Sequence, residues 1–229
     1  GESLWDGSDG LVEQGCIIKN KKRGGIENIC GLAGIVGEVD FMEQVLLNMS
    51  SAQNHRVKET PNSWVSSFID ARVGLMHNRM KTIDMAVAPK QPFEDNDTGL
   101  VVMLDGEIFN YEDVRRQLEN YYSFTTRGMC EVITKAYDRW GDGCFDRFEG
   151  YFSFVRYNRW SEELLLCRDR FGIKPLYYAT QRGNLFFASE IKALFAGGIR
   201  SLLSAERWAS YLAYSTYGSP YETFWEGVH

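Results

Sequence analysis

The sequence predicts an α+β fold in which antiparallel sheets carry helices on their outer faces. Apolar runs of strand length recur along the chain, joined by short glycine-containing turns, while helical spacing appears in only a few segments. Strands joined that closely pair with their sequence neighbours, and the helices then cover the outer sheet faces. Length is consistent with one large domain. A chain of 229 residues buries roughly 70–75 % of its unfolded surface and needs no disulfide or metal staple.

Taken in order, residues 1–29 differ from the rest. They are rich in glycine and charge, with short apolar patches at Leu11-Val12 and Cys16-Ile17-Ile18. They read as an N-terminal extension ending near Gly24-Gly25, with an edge strand plus loop as the alternative. Cys30-Gly31-Leu32-Ala33-Gly34-Ile35-Val36-Gly37 is a buried strand with a thiol at its head, and its glycines admit close approach of another group. Cys30 is either a nucleophile held on a rigid element or a small buried hydrophobe. Phe41–Ala52 has helical spacing with Asp40 as N-cap, and polar His55–Ser66, containing Pro61, reads as a loop leading to Trp64-Val65. Ala71–His77 and Met80–Met85 read as strands. The apolar strand Leu100–Leu104 ends at Asp105-Gly106-Glu107, and a helix Tyr111–Asn120 follows, capped by Asn110. A second helix, Cys130–Trp140, turns Val132, Ile133, Ala136 and Tyr137 to one side and stops at Gly141-Asp142-Gly143. A short segment, Cys144–Phe148, precedes strands Tyr151–Tyr157 and Glu163–Arg168 and the turn Asp169-Arg170-Phe171-Gly172. Leu176–Ala179 and Asn184–Ala188 form a hairpin around Gln181-Arg182-Gly183, and a helix runs from Ser189 through Phe195.

Composition narrows the function classes. A net charge of −6 argues against nucleic acid, and the one basic cluster, Lys19, Lys21, Lys22 and Arg23, reads as a solvated segment. Five cysteines without paired spacing fit a reducing compartment. His55, His77 and His229 are too scattered for a zinc site. With no apolar stretch of about 18 residues and no signal-peptide pattern, the expectation is a cytoplasmic protein with no membrane partner. Cys16, Cys130, Cys144 and Cys167 read as packing residues, and Arg168 and Asp169 as fixing the turn they open.

Four ordered motifs go further. Cys30-Gly31-Leu32-Ala33-Gly34-Ile35, Asp105-Gly106-Glu107-Ile108-Phe109-Asn110, the block Arg168 to Tyr178 and Ala188-Ser189-Glu190-Ile191-Lys192-Ala193-Leu194 together resemble the glutaminase domain of asparagine synthetase. That is a class II glutamine amidotransferase domain of the N-terminal-nucleophile hydrolase fold. The resemblance implies a four-layer α/β/β/α sandwich, two antiparallel sheets face to face between helices. It divides the chain into an extension or propeptide (1–29), the amidotransferase-like domain (30–200) and the start of a linker towards a synthetase domain (201–229).

In the family the cysteine thiolate attacks the glutamine amide, releases ammonia and leaves a thioester that water hydrolyses. The free α-amine of the cysteine is the base. The resemblance thus makes Cys30 the nucleophile and places Asp105 and Gly106 at the oxyanion hole. Arg79, with Met80 beside it in His77-Asn78-Arg79-Met80, matches the grip on the substrate α-carboxylate. Glu107 helps fix the substrate, and Met129 stands where the family has the aspartate that binds the substrate ammonium.

Four departures touch that machinery. Cys30 follows 29 residues, so its nitrogen is a peptide N–H unless they are removed. The family asparagine is Asp105, which when ionised has no hydrogen to donate. The loop that the family writes Arg-Gly-Pro-Asp reads Arg56-Val57-Lys58-Glu59, without the residues that set its path. Met129 offers a thioether where the family has a charged ammonium partner. The expectation is a domain that partners an ATP-dependent amide-forming synthetase domain or subunit while its own glutamine hydrolysis is impaired or lost. The alternative is an active glutaminase that supplies ammonia for asparagine or a similar amide once residues 1–29 are removed. Action on another amide is a third, narrower reading. A further expectation is that Asp105 binds the substrate ammonium in place of Met129, which has no charge to do so. No metal and no cofactor are expected here, since ATP and Mg belong to the synthetase partner. A homodimer is kept among the expected assemblies.

Overall fold

The computed structural model describes residues 30–56, 63–70, 72–80, 90–216 and 222–229; the side chains of 63–66, 79 and 80 lie outside that description. The expected extension 1–29, residues 57–59 of the covering loop and the continuation of the Met80–Met85 strand past Met80 also lie outside it.

Two antiparallel sheets face each other. The first has the order β2-β3-β1-β9-β8, from β1 (Gly31–Val36), β2 (Ser63–Asp70), β3 (Val73–Met80), β8 (Tyr177–Gln181) and β9 (Asn184–Ala188). The second has the order β4-β5-β6-β7, from β4 (Phe93–Asp95), β5 (Leu100–Ile108), β6 (Gly150–Asn158) and β7 (Glu163–Arg168). Alternation along the strands sends Leu32, Leu75, Val101, Met103, Val155 and Phe187 into the space between the sheets. The opposite faces of the same strands take the helices. On the first sheet, α1 (Met42–Ala52) and α4 (Ile191–Ala196) lay Leu46, Met49, Ala193 and Leu194 over Ala33, Ile35, Met76 and Ala188. On the second, α2 (Tyr111–Leu118) and α3 (Met129–Trp140) lay Val114, Leu118, Val132 and Ile133 over Val102, Leu104, Phe152 and Phe154. Each such large apolar side chain contributes about 1.5–3 kcal/mol by leaving water. The four-layer α/β/β/α sandwich expected from the resemblance is the observed fold.

β1 is the centre of the first sheet, with Leu32 opposite His77 of β3 and Ala33 opposite Ala188 of β9. Of its two glycines, Gly34 serves the close approach expected: a Cβ there would lie 2.0 Å from Cζ of Phe187. The β8–β9 hairpin turns at Arg182 and Gly183, both with positive φ (53° and 75°), the geometry that matches strand twist. After α5 (Ala205–Tyr214), the last residues return to the β8 edge. Tyr178 and His229 exchange backbone hydrogen bonds of 2.9 Å, and Val228 is buried against the first sheet.

Several local expectations are corrected. The His55–Ser66 loop is shorter than expected, because β2 starts at Ser63 and pairs with β3 through Asp70. Serines on what is an edge strand hide its alternation. β3 runs from Val73 to Met80, so the strand expected to end at His77 continues through Asn78 and Arg79. β5 does not stop at Leu104; it continues through Asp105, Gly106 and Glu107, which pair with Ser153, Phe152 and Tyr151. Asp40 does not cap α1, whose N-cap position is Phe41 in the left-handed region. Asn110 precedes α2 without capping it by its side chain. It donates instead to Arg147 O (2.8 Å) and accepts from Glu149 N (3.0 Å), tying α2 to the approach to β6.

Candidate functional site

Cys30 stands at the head of the central strand, 8 % exposed. The strand behind it is fixed by three hydrogen bonds with two residues. Leu32 N donates to Ser189 Oγ (3.0 Å), Ser189 N donates to Leu32 O (3.0 Å), and Gln53 Nε2 donates to the same carbonyl (3.1 Å). From the opposing sheet, β5 brings Asp105 to the same end of the sandwich, fully buried. The Cys30 N–H donates to Asp105 Oδ1 over 3.4 Å.

Two cations complete the surroundings of that carboxylate. Arg56 Nη2 donates to Asp105 Oδ2 (3.0 Å), and Lys174 Nζ lies 3.2 Å from Oδ1. Arg56 sits in a short 3-10 turn, Asn54–Arg56, that follows α1. It also donates from Nε to Cys30 O (2.8 Å) and from Nη1 to Glu190 Oε1 (3.1 Å). Lys174 is delivered by the turn after β7. There Asp169 accepts from the backbone N–H groups of Phe171, Ile173 and Lys174 at 3.0–3.1 Å, and Arg168 donates to Lys174 O (3.0 Å) and Gly172 O (2.7 Å). The reading of Arg168 and Asp169 as turn-fixing residues therefore matches their contacts, and the turn they fix aims a cation at Asp105.

Electrostatics follow from burial. Loss of water pushes the Asp105 carboxyl up. Lys174, Arg56 and the Cys30 N–H pull it back, leaving it above the ordinary carboxylate value. Glu190, at the rim, is also pushed up by burial. Arg56, Lys192 and His55 outweigh that and hold it below the ordinary range, with His55 Nε2 at 2.8 Å and Lys192 Nζ at 3.3 Å.

Of the residues expected from sequence, the structure brings Cys30, Asp105, Gly106 and Glu107 to one end of the sandwich. Gly106 has φ +120°, and a Cβ there would lie 2.2 Å from Tyr151 O, so the backbone can pass only as glycine. Glu107 Oε2 accepts from Tyr151 Oη at 3.5 Å. Met129 opens α3, packs on the core of the second sheet, and accepts the Ile108 N–H on its sulfur at 3.3 Å. Arg79 and Met80 close β3, just past Asn78, which pairs with Gly31; their side chains are outside the described residues. The expectation that Asp105 binds the substrate ammonium meets a carboxylate whose two oxygens are already engaged by Arg56, Lys174 and the Cys30 N–H.

Sequence reasoning missed Arg56, Lys174 and Glu190 as members of the site. All three lie inside motifs that stand out in the chain, where they read as setting backbone path or matching the family. The available signal was Asp105 itself, since a buried acid demands a paired cation. Among the described residues no group of three or more His, Cys, Asp or Glu is placed to hold a metal ion, and no helix is long and apolar enough to cross a membrane.

Comparison with known proteins gives the geometry a context. The family model described as a glutamine amidotransferase domain matches residues 29–229. Asparagine synthetase [glutamine-hydrolyzing] 2 of Bacillus subtilis (strain 168) is 38 % identical over 173 residues, covering 73 % of this chain and 22 % of that protein. Amidase chry2 of Gibberella zeae is 29 % identical over 215 residues, 88 % of this chain and 31 % of that protein. The chain thus spans between a fifth and a third of the length of these relatives. Among solved structures, the glutamine phosphoribosylpyrophosphate amidotransferase of B. subtilis, complexed with ADP and GMP, superposes with a TM-score of 0.60 at 19 % identity, covering 74 % of this chain and 44 % of that one. That likeness supports the fold.

Proposed function

Since the chain belongs to the glutamine amidotransferase domain family, in its class II, asparagine-synthetase-like form, we propose that it is a member whose glutamine-hydrolysing pocket has been closed by its own charges. The observation that carries this is the Arg56–Asp105–Lys174 cluster at Cys30. A carboxylate at that position accepts hydrogen bonds and donates none, so it cannot stabilise an oxyanion developing beside the Cys30 thiol. Loss of a single oxyanion donor costs on the order of 10²–10³ in rate, and a negative group in its place does no better. In addition, while residues 1–29 are attached the Cys30 nitrogen is a peptide N–H, which has no usable basicity. The ammonium contact expected near Met129 is replaced by a thioether turned onto the Ile108 backbone.

On this reading the domain's role is to partner an ATP-dependent, amide-forming synthetase, with ATP and Mg bound by that partner. Support comes from the relatives named as asparagine synthetases, of which this chain spans only part. A second reading, an active glutaminase released by removal of residues 1–29, draws on Cys30's place at the head of a rigid central strand. The deciding experiment measures ammonia and glutamate released from glutamine by the unaltered chain and by a form beginning at Cys30. The expected result is no turnover in either. Turnover by the form beginning at Cys30 overturns the closed pocket.

A further inference from the structure

Three donors from three different elements converge on one carboxylate: Arg56 Nη2 at 3.0 Å, Lys174 Nζ at 3.2 Å and the Cys30 N–H at 3.4 Å. Two cations and a backbone N–H, spread over both oxygens of one planar anion, have the geometry of a carboxylate-binding site. The donors are placed by contacts other than Asp105. The Arg56 guanidinium is fixed by Cys30 O and Glu190, the Lys174 backbone by the Arg168–Asp169 turn with its ammonium 5.6 Å from the Tyr151 ring centroid, and Cys30 by its place at the head of the central strand. The side chains of Arg56 and Lys174 are only 12 % and 11 % exposed, so little water competes for the site.

We propose that Arg56, Lys174 and the Cys30 N–H form a preorganised receptor for a small carboxylate, and that the protein occupies it with its own Asp105. The inference rests on the closed-pocket reading and gives its cause: the two cations that flank Cys30 are already neutralised from within. Removing the internal carboxylate then uncovers a site for an external one of the same size. Formate matches the deleted group atom for atom, and glutamate and glutamine carry the same anion on a longer frame.

The test compares thermal unfolding of the unaltered chain, Asp105→Ala and Asp105→Ala/Arg56→Gln in potassium formate and in potassium chloride of equal concentration. Asp105→Ala is expected to melt higher in formate than in chloride, by about 3–5 °C at ten times the formate dissociation constant. The unaltered chain and the double variant are expected to show no preference. Equal melting of Asp105→Ala in the two salts overturns the proposal, as does a formate preference that survives loss of Arg56. Should Asp105→Ala fail to fold, the cycle of Asp105→Asn and Arg56→Gln reads the same contact. Non-additive shifts in melting temperature are expected, and additive ones overturn it. Ammonia release from glutamine by the unaltered chain, or by a form beginning at Cys30, counts against the closed pocket and leaves the formate result to stand or fall on its own.

Discussion

Replacing Lys174 by methionine keeps the length of the stem and removes one of the two cations on Asp105. At 3.2 Å and an effective dielectric near 20, the attraction removed is about 5 kcal/mol. Part is recovered because no ammonium need now leave water, and Arg56 still neutralises the carboxylate. A net loss of about 2–4 kcal/mol at pH 7 follows, which in a chain of this size lowers the melting temperature by about 5–15 °C. The pH dependence carries the sharper test. Burial already raises the folded-state pKa of Asp105 above its unfolded value, and Lys174 is the largest influence pulling it down. Without Lys174 it rises further, so the folded variant takes up a proton at a higher pH than the unaltered chain does. Between the unfolded and folded pKa values the folded state binds more protons, and stability therefore increases as pH falls through that window. The difference between variant and unaltered chain, measured by urea unfolding at pH 7 and pH 5, is expected to be smaller at pH 5. A difference that is constant, or greater at pH 5, would refute the role given to Lys174.

Glu131 offers the opposite sign. Burial raises its carboxyl, but bonds from Thr125 N (2.7 Å), Thr125 Oγ1 (3.0 Å), Thr126 N (2.6 Å) and Thr126 Oγ1 (2.6 Å) hold it below the ordinary value. Its contribution is full above the unfolded pKa and disappears as pH falls through the lower folded one. Glu131→Gln is expected to cost about 2–3 kcal/mol at pH 7, with the gap narrowing on acidification in denaturant titrations. Gly106→Ala combines a strained φ with a backbone clash and is expected to cost more than about 3 kcal/mol; soluble yield and near-UV circular dichroism read it, and a native spectrum at normal yield would contradict it. Cys144 is fully buried, and burial pushes its thiol well up. Iodoacetamide should therefore modify half-buried Cys167 before Cys144 in the native protein, as followed by peptide mass.

What the sequence made legible was whatever depends on short-range pattern. The β8–β9 hairpin was visible because Arg182-Gly183 suits a turn that needs two positive φ values. The helix from Met129 to Trp140 was visible through its apolar stripe and the glycine at its end. β2 was not, since an edge strand with serines on it lacks the alternation of a half-buried one. The end of β5 was misjudged for a related reason: Asp-Gly reads as a turn, yet here the aspartate is neutralised by tertiary partners and the glycine yields to a backbone crossing. The site followed the same division. Cys30, Asp105, Gly106 and Glu107 were recoverable from ordered motifs. Arg56 and Lys174 reach Asp105 from 49 and 69 positions away, and only the folded sandwich selects them from the chain's other cations.

That selection explains how a charge can stand where the family has an amide. An amide needs one donor and one acceptor satisfied; a buried carboxylate needs cations. Aspartate at this position is stabilised here by a guanidinium from the turn after α1 and an ammonium from the turn after β7. On the proposed reading, reversing that one difference does not restore an open pocket. An asparagine at 105 returns a donor but leaves Arg56 and Lys174 sharing one neutral oxygen in a site with little water, and Met129 still supplies no charge for an ammonium. Several residues would have to change together. On that reading, this coupling separates the proposed pocket, filled by its own side chains, from one that has lost a catalytic group and stayed empty.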